Sequence, residues 1–232
     1  MKMLSELGWK SLSVDEFTSI LIAGRSLPFR SFLITFDDGY ESVKTTALKI
    51  LQEFNFKAIC FLSTALMRNS DENQTSQISE TDQKFLSWSQ VRELQSSGNI
   101  DCQSHSHTHN RFINFSLTEI QQDLGTSVDL LSHELRLPKD HFTHLAWPWG
   151  LSFQEWKSIA SHSGFKYQYT VARQSLRPDS HFDQIPRTCF DTHTLSQFKR
   201  LLWLQTGLIS PVWDYIYPHR KKVRRIIDYL NA

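Results

Sequence analysis

Short apolar runs rich in β-forming residues, at 31–36, 57–63, 99–104, 145–147 and 167–171, alternate along this chain with segments of helical spacing. Such alternation predicts parallel strands joined by helical crossovers, with functional groups gathered at the C-terminal ends of the strands. Capping-box spacings at Ser13–Glu16 and Ser116–Glu119 open two of the helices, one through about Leu21 and one through about Leu135. Others are expected over 43–54, where Val43, Ala47, Ile50 and Leu51 share a face, and over 88–96 and 153–161. The polar stretch 69–83 is turn-rich and reads as an exposed insertion. At 232 residues, with no repeat and no long linker, the chain reads as one α/β domain of barrel size, 1–232, ending in a basic helix.

The chemistry concentrates at two strand ends. The run Ser31–Phe36 stops abruptly at Asp37 and Asp38, followed by Gly39 and Tyr40. Adjacent carboxylates repel, which raises the pKa of one and costs stability unless something compensates. A divalent metal removes that cost by binding one carboxylate and leaving the other free as a base. The segment Ser104–His109 supplies further ligands, since His105 and His109 lie four residues apart. Two histidines and an aspartate make a metal site with open positions for water. His107 falls at an alternate position and is expected to have a structural duty.

Other features narrow the class. A net charge of +1 gives no argument for a nucleic-acid partner. No run has the apolar length needed to span a bilayer. The N-terminus lacks a signal-peptide core, so the chain as written is cytoplasmic, or extracytoplasmic if the true start lies upstream with a signal segment. Cys60, Cys102 and Cys189 are odd in number and read as buried free thiols rather than a disulfide framework. Near the C-terminus, apolar and aromatic residues 201–213 precede the basic cluster His219–Arg225. That cluster reads as a solvated helix face, or as a peripheral contact with anionic lipid head groups or a lipid-linked glycan.

Three segments together carry a family resemblance. Thr35-Phe36-Asp37-Asp38-Gly39 resembles the first motif of the NodB-homology polysaccharide deacetylases, carbohydrate esterase family 4. Ser104–His109 resembles their second motif, and Leu145-Ala146-Trp147-Pro148-Trp149-Gly150 their third in its aromatic-Pro-aromatic-Gly form. The resemblance covers roughly residues 8–205 and is nearest the branch that includes poly-N-acetylglucosamine deacetylases. It implies a distorted, incomplete (β/α)7-type barrel lacking an N-terminal strand. It also implies one divalent metal on Asp38, His105 and His109, zinc by its ligand set, with cobalt, nickel or iron as alternatives.

Within that resemblance Asp37 would be the general base, and a backbone N–H near Tyr40 would face the oxyanion. Tyr40, Trp147, Pro148 and Trp149 would form the substrate-binding groove, although both tryptophans could equally be core. Many family members carry an arginine where this chain has Ala146. Ile185-Pro186-Arg187 looks like the segment that brings a substitute arginine to the base, so Arg187 would hold Asp37 ionised. The family's proton-donating histidine lies in a Tyr-His segment ahead of the residues present here, which leaves His193 and His181 as stand-ins. The implied reaction is removal of N-acetyl groups from N-acetylhexosamine units of a surface polysaccharide or lipid-linked glycan. An O-acetyl esterase and a catalytically impaired glycan-binding module are the alternatives.

Overall fold

The computed structural model describes residues 1–69, 84–176, 181–190, 193–206 and 210–217. All but Asn69 of the expected insertion, and the whole basic cluster His219–Arg225 with its terminal helix, lie outside the described residues.

Among the described residues the named strands and helices follow in the order α1 (Lys2–Glu6), β1 (Lys10–Ser11), α2 (Val14–Ile22), β2 (Ser31–Phe32), β3 (Ile34–Phe36), α3 (Leu48–Glu53), β4 (Ala58–Leu62), α4 (Trp88–Ser96), β5 (Ile100–Ser104), α5 (Leu117–Leu135), β6 (His144–Ala146), α6 (Gln154–His162), β7 (Tyr167–Tyr169) and α7 (Leu195–Thr206), with a further helical stretch at 210–217. The expected capping boxes at Ser13 and Ser116 form, and a third at Ser87 opens α4. In each, the serine hydroxyl accepts the N3 backbone N–H while the N3 side chain returns to the cap, which satisfies two orphan donors. The helix expected over 43–54 instead begins as a π-helical turn, Val43–Ala47, before settling into α3.

Strands β3 to β7 form one all-parallel sheet in sequential order, curled into a half-barrel. This is a distorted, incomplete (β/α) barrel. The run 31–36 is broken at Leu33, and its first half, β2, pairs with the two-residue strand β1. No sequence signal marked β1. Among the described residues β3 stands at the edge of the five-stranded sheet.

The strands' alternation sorts side chains into two clusters. Ile59, Phe61, Ala146, Tyr167 and Tyr169 point into the barrel, where Leu12, Phe17 and Leu21 close one end. Ala58, Cys60, Leu62, Ile100, Cys102, Leu145 and Trp147 point outward beneath the helices. Because β4 is buried on both faces, its run Ala-Ile-Cys-Phe-Leu carries no polar residue. Cys60 and Cys102 are buried as expected, whereas Cys189 is exposed. Among the described residues no helix is long and apolar enough to cross a membrane.

Candidate metal centre and active site

The turn after β3 delivers the two carboxylates through strained backbone. Asp38 has φ +70° and Gly39 has φ +85°, a region disfavoured for residues with a Cβ. At Gly39 a Cβ would also lie 2.6 Å from the Met67 methyl and 2.8 Å from a Leu62 methyl, so glycine is required twice over. The segment 84–86 braces this turn: Leu86 N–H donates to Gly39 O (2.8 Å), Glu41 N–H to Lys84 O (2.7 Å), and Tyr40 stacks on Phe85 at 5.0 Å and 17°.

The second ligand segment is braced from a helix. His105 leaves β5 with its N–H on Leu62 O (2.9 Å). The loop beyond it uses left-handed backbone at Ser106 (φ +69°) and His109 (φ +57°). Asp123 of α5 holds it, accepting from His107 N–H (2.8 Å), Thr108 N–H (3.1 Å) and the Thr108 hydroxyl (2.5 Å). Sequence reading missed Asp123. The signal was present, since it is an acidic residue on the apolar stripe Ile120, Leu124, Val128 and Leu131. His107 turns away and pairs with the Thr64 hydroxyl at 2.8 Å.

Asp38, His105 and His109 converge, each offering one ligand atom, all within 4.8 Å of one another. Asp38 Oδ1 lies 3.3 Å from His105 Nε2 and 3.1 Å from His109 Nε2. His105 Nδ1 is 2.7 Å from the Ala146 carbonyl, which can only accept. The proton is therefore assigned to Nδ1, and a neutral ring turns a bare lone pair at Nε2 toward Asp38. Asp38 Oδ1 is itself buried with no hydrogen-bond partner. Lone pairs facing lone pairs are repulsive unless a cation lies between them, and a ligating histidine whose other nitrogen donates to a carbonyl is the usual arrangement. The donor set therefore fits a divalent ion.

Asp37 faces a different partner. Arg187 donates to both of its oxygens, at 2.6 and 2.8 Å, in a bidentate fork. The guanidinium is fixed by the Thr170 carbonyl (3.2 Å) and the Thr35 hydroxyl (3.1 Å), and it lies 5.4 Å over the Phe61 ring. Burial raises the Asp37 pKa, while the charge of Arg187 and its hydrogen bonds overcome it, so the carboxyl sits below its ordinary value. Ala146, at the position where the resemblance implies an arginine in many relatives, has its side chain buried in the barrel interior.

The third motif divides. Trp147 and Pro148 are buried, which corrects the expectation that they line a groove. Ala146 points into the barrel, so its neighbour Trp147 points outward into the core, against Phe112 and Trp156, with its indole N–H on Gln168 Oε1 at 3.0 Å. Trp149 is 53% exposed at φ +60°. Its ring lies 5.4 Å from His109, and the Arg111 guanidinium sits 4.5 Å over its face. It walls the cluster on one side; on another stands Tyr40, whose phenol pKa is pushed up by burial and by the nearby Asp38 carboxylate.

The polysaccharide deacetylase family model matches residues 24–168 of this sequence. The chain belongs to that family. A poly-beta-1,6-N-acetyl-D-glucosamine N-deacetylase of Staphylococcus epidermidis is 26% identical over 186 residues, covering 77% of this chain and 60% of that protein. One from Staphylococcus aureus is 25% identical, with 81% and 63% covered. The chain thus spans about 60% of the length of these curated relatives. Among solved structures, IcaB from Ammonifex degensii superposes with a TM-score of 0.70 at 20% identity, covering 87% of this chain and 84% of that one. The BpsB deacetylase domain from Bordetella bronchiseptica gives 0.65 at 24%, with 81% of each chain covered. These two share the fold.

In this member of the family, neither histidine considered as a stand-in proton donor bonds to the cluster. Among the described residues His181 and His193 make no hydrogen bond or ion pair with Asp37, Asp38, His105 or His109. His193 instead packs against Phe190, 5.8 Å between ring centroids.

Proposed function

We propose that this chain is a metal-dependent hydrolase that removes N-acetyl groups from N-acetylhexosamine units of a surface polysaccharide or a lipid-linked glycan. The observation that carries this reading is the division of labour between adjacent carboxylates: Asp38 faces two imidazole nitrogens, and Asp37 is held by a guanidinium. The curated relatives' names supply the sugar class.

Asp38, His105 and His109 would hold a divalent ion, zinc by the ligand set, with cobalt, nickel or iron as alternatives. Such an ion supplies a water of lowered pKa and polarises a bound carbonyl. Asp37 accepts the proton of the attacking water on a carboxylate oxygen. Arg187 keeps that carboxylate ionised at neutral pH while leaving each oxygen a second lone pair. The Tyr40 backbone N–H has no acceptor among the described residues, which makes it the donor available to the developing oxyanion. Asp37, once protonated, is the acid within reach of the departing amine. Trp149 offers an exposed aromatic face beside His109 on which a pyranose ring can stack.

The direct test is release of free acetate from N-acetylglucosamine oligomers by the metal-loaded chain, beside a matched O-acetylated oligomer. Acetate from the amide substrate, lost in Asp37→Asn, supports the reading. Acetate from the ester alone makes the chain an O-acetyl esterase. Binding of the oligomer with no acetate from either makes it a glycan-binding module.

A further inference from the structure

The loop 106–109 lies outside any strand or helix, yet its four consecutive backbone N–H groups all donate to side-chain oxygens. Ser106 N–H donates to Ser104 Oγ (3.1 Å), His107 N–H to Asp123 Oδ1 (2.8 Å), Thr108 N–H to Asp123 Oδ2 (3.1 Å) and His109 N–H to Ser106 Oγ (3.1 Å). Asp123, on α5, is the acceptor contributed from outside the segment 104–109, and it also takes the Thr108 hydroxyl. Its carboxylate is buried, and among the described residues no Lys, Arg or His pairs with it. A buried carboxylate without a cation depends on the donors it accepts from, so carboxylate and loop fix each other.

The two ligating histidines lean on this loop unequally. His105 is placed by the sheet: its N–H donates to Leu62 O (2.9 Å) and its Nδ1 meets the Ala146 carbonyl (2.7 Å). His109 sits at the far end, at φ +57°, and among the described residues its Nδ1 makes no hydrogen bond. The aim of its Nε2 at Asp38 Oδ1, 3.1 Å away, therefore follows from the backbone that carries it.

We propose that Asp123 is a positioning residue for the metal centre, fixing the curl of 106–109 that aims His109 and so setting the affinity for the divalent ion without touching it. This rests on the reading of Asp38, His105 and His109 as metal ligands. Asparagine at 123 would keep the shape but not the acceptors: its amide NH2 must face either the His107 N–H or the Thr108 N–H, donor against donor. Partners that orient metal ligands contribute about 10–100-fold to metal affinity.

Titration of the metal-stripped full chain with zinc against a chromophoric chelator gives the Kd, and denaturant unfolding of the same metal-free preparations gives their stability. Asp123→Asn should weaken zinc binding about 10–100-fold. Thr108→Val, at an exposed position, keeps the charge of Asp123 and removes one bond to it, and should weaken binding about three-fold, the size of a modest hydrogen bond. Leu131→Ala, fully buried further along α5, should lower the denaturant midpoint and leave the Kd unchanged. An unaltered Kd in Asp123→Asn overturns the proposal. A Kd raised equally by Leu131→Ala also overturns it, by making the effect one of general stability. So does a raised Kd in Asp123→Asn with none in Thr108→Val, which would make it one of charge. Should Asp123→Asn not fold, Thr108→Val decides alone, an unchanged Kd counting against Asp123. Wild-type protein that takes up no zinc overturns the metal reading itself, a result distinct from all of these.

Discussion

Two clusters of carboxylate and histidine occupy this half-barrel, and they behave oppositely. At the C-terminal ends of the strands, Asp38, His105 and His109 point ligand atoms at one another, and Asp38 Oδ1 is buried without a hydrogen-bond partner. Lower on β5, Asp101 accepts from Gln103 Nε2 at 2.6 Å and meets His141 only through one long contact of 3.4 Å. Nearby, His144 spends its ring nitrogens on the Tyr169 hydroxyl (2.8 Å) and the Thr18 hydroxyl (3.3 Å). In the lower cluster the buried atom left without a partner is a ring nitrogen, His141 Nε2; in the upper one it is a carboxylate oxygen, Asp38 Oδ1, facing two imidazoles. Residue type alone does not make a metal site: what counts is how many lone pairs are left facing one point.

The two carboxylates of the upper cluster are set apart just as sharply, and the largest expected effect breaks that distinction. Asp37→Asn keeps the shape and, by this account, the metal, while turnover falls about 10²–10⁴-fold, the size of a lost general base. Acetate release and metal content measured on one preparation decide it: loss of metal with activity would make Asp37 a ligand.

The third motif gives a second contrast. Trp147→Ala should destabilise the chain by about 3–5 kcal/mol, as removal of a buried aromatic side chain does, read as a lower denaturant midpoint. Trp149→Ala should leave that midpoint nearly unchanged and raise KM several-fold. Equal effects of the two on stability would show that Trp149 is also core.

Arg187→Ala tests the base through pH. The charge of Arg187 helps to hold the Asp37 pKa below its ordinary value. Its removal lets burial push that pKa up, so the carboxylate becomes protonated at higher pH. The acid limb of the kcat/KM profile should then move to higher pH, and an unmoved limb would separate Arg187 from the base.

The smallest effect belongs to the lower cluster. Burial pushes the His144 pKa down to about 3, from an ordinary value of about 6.5. The unfolded chain therefore takes up a proton that the folded chain refuses. The stability His144 permits is complete above about pH 6.5 and falls as pH drops toward 3, by at most about 1.4 kcal/mol per pH unit. Denaturant unfolding of His144→Gln should show a flatter decline over that window, with metal content unchanged.

Much of this was legible in the chain. The strand runs, the capping boxes at Ser13 and Ser116, and the placing of Asp37, His105 and Trp147 at strand ends all follow from local periodicity and composition. Arg187 was legible only through resemblance, since 150 residues separate it from Asp37 and nothing local marks it as that carboxylate's partner. The facing of Trp147 was not legible. An aromatic residue after a strand can lie on either side of the sheet, and only Ala146 being inward settles it. Strand β1 is two residues long and the π-helical turn at Val43–Ala47 spans five, so neither is long enough to leave a periodic trace of its own.

The central claim, that the converging Asp38, His105 and His109 side chains make the upper cluster a metal centre, is most directly tested by metal analysis of purified wild-type, His105→Ala and Asp101→Asn proteins. The account predicts about one equivalent of divalent metal in the wild type and in Asp101→Asn, and loss of that metal in His105→Ala. Full metal retention in His105→Ala, or its loss in Asp101→Asn, would contradict it.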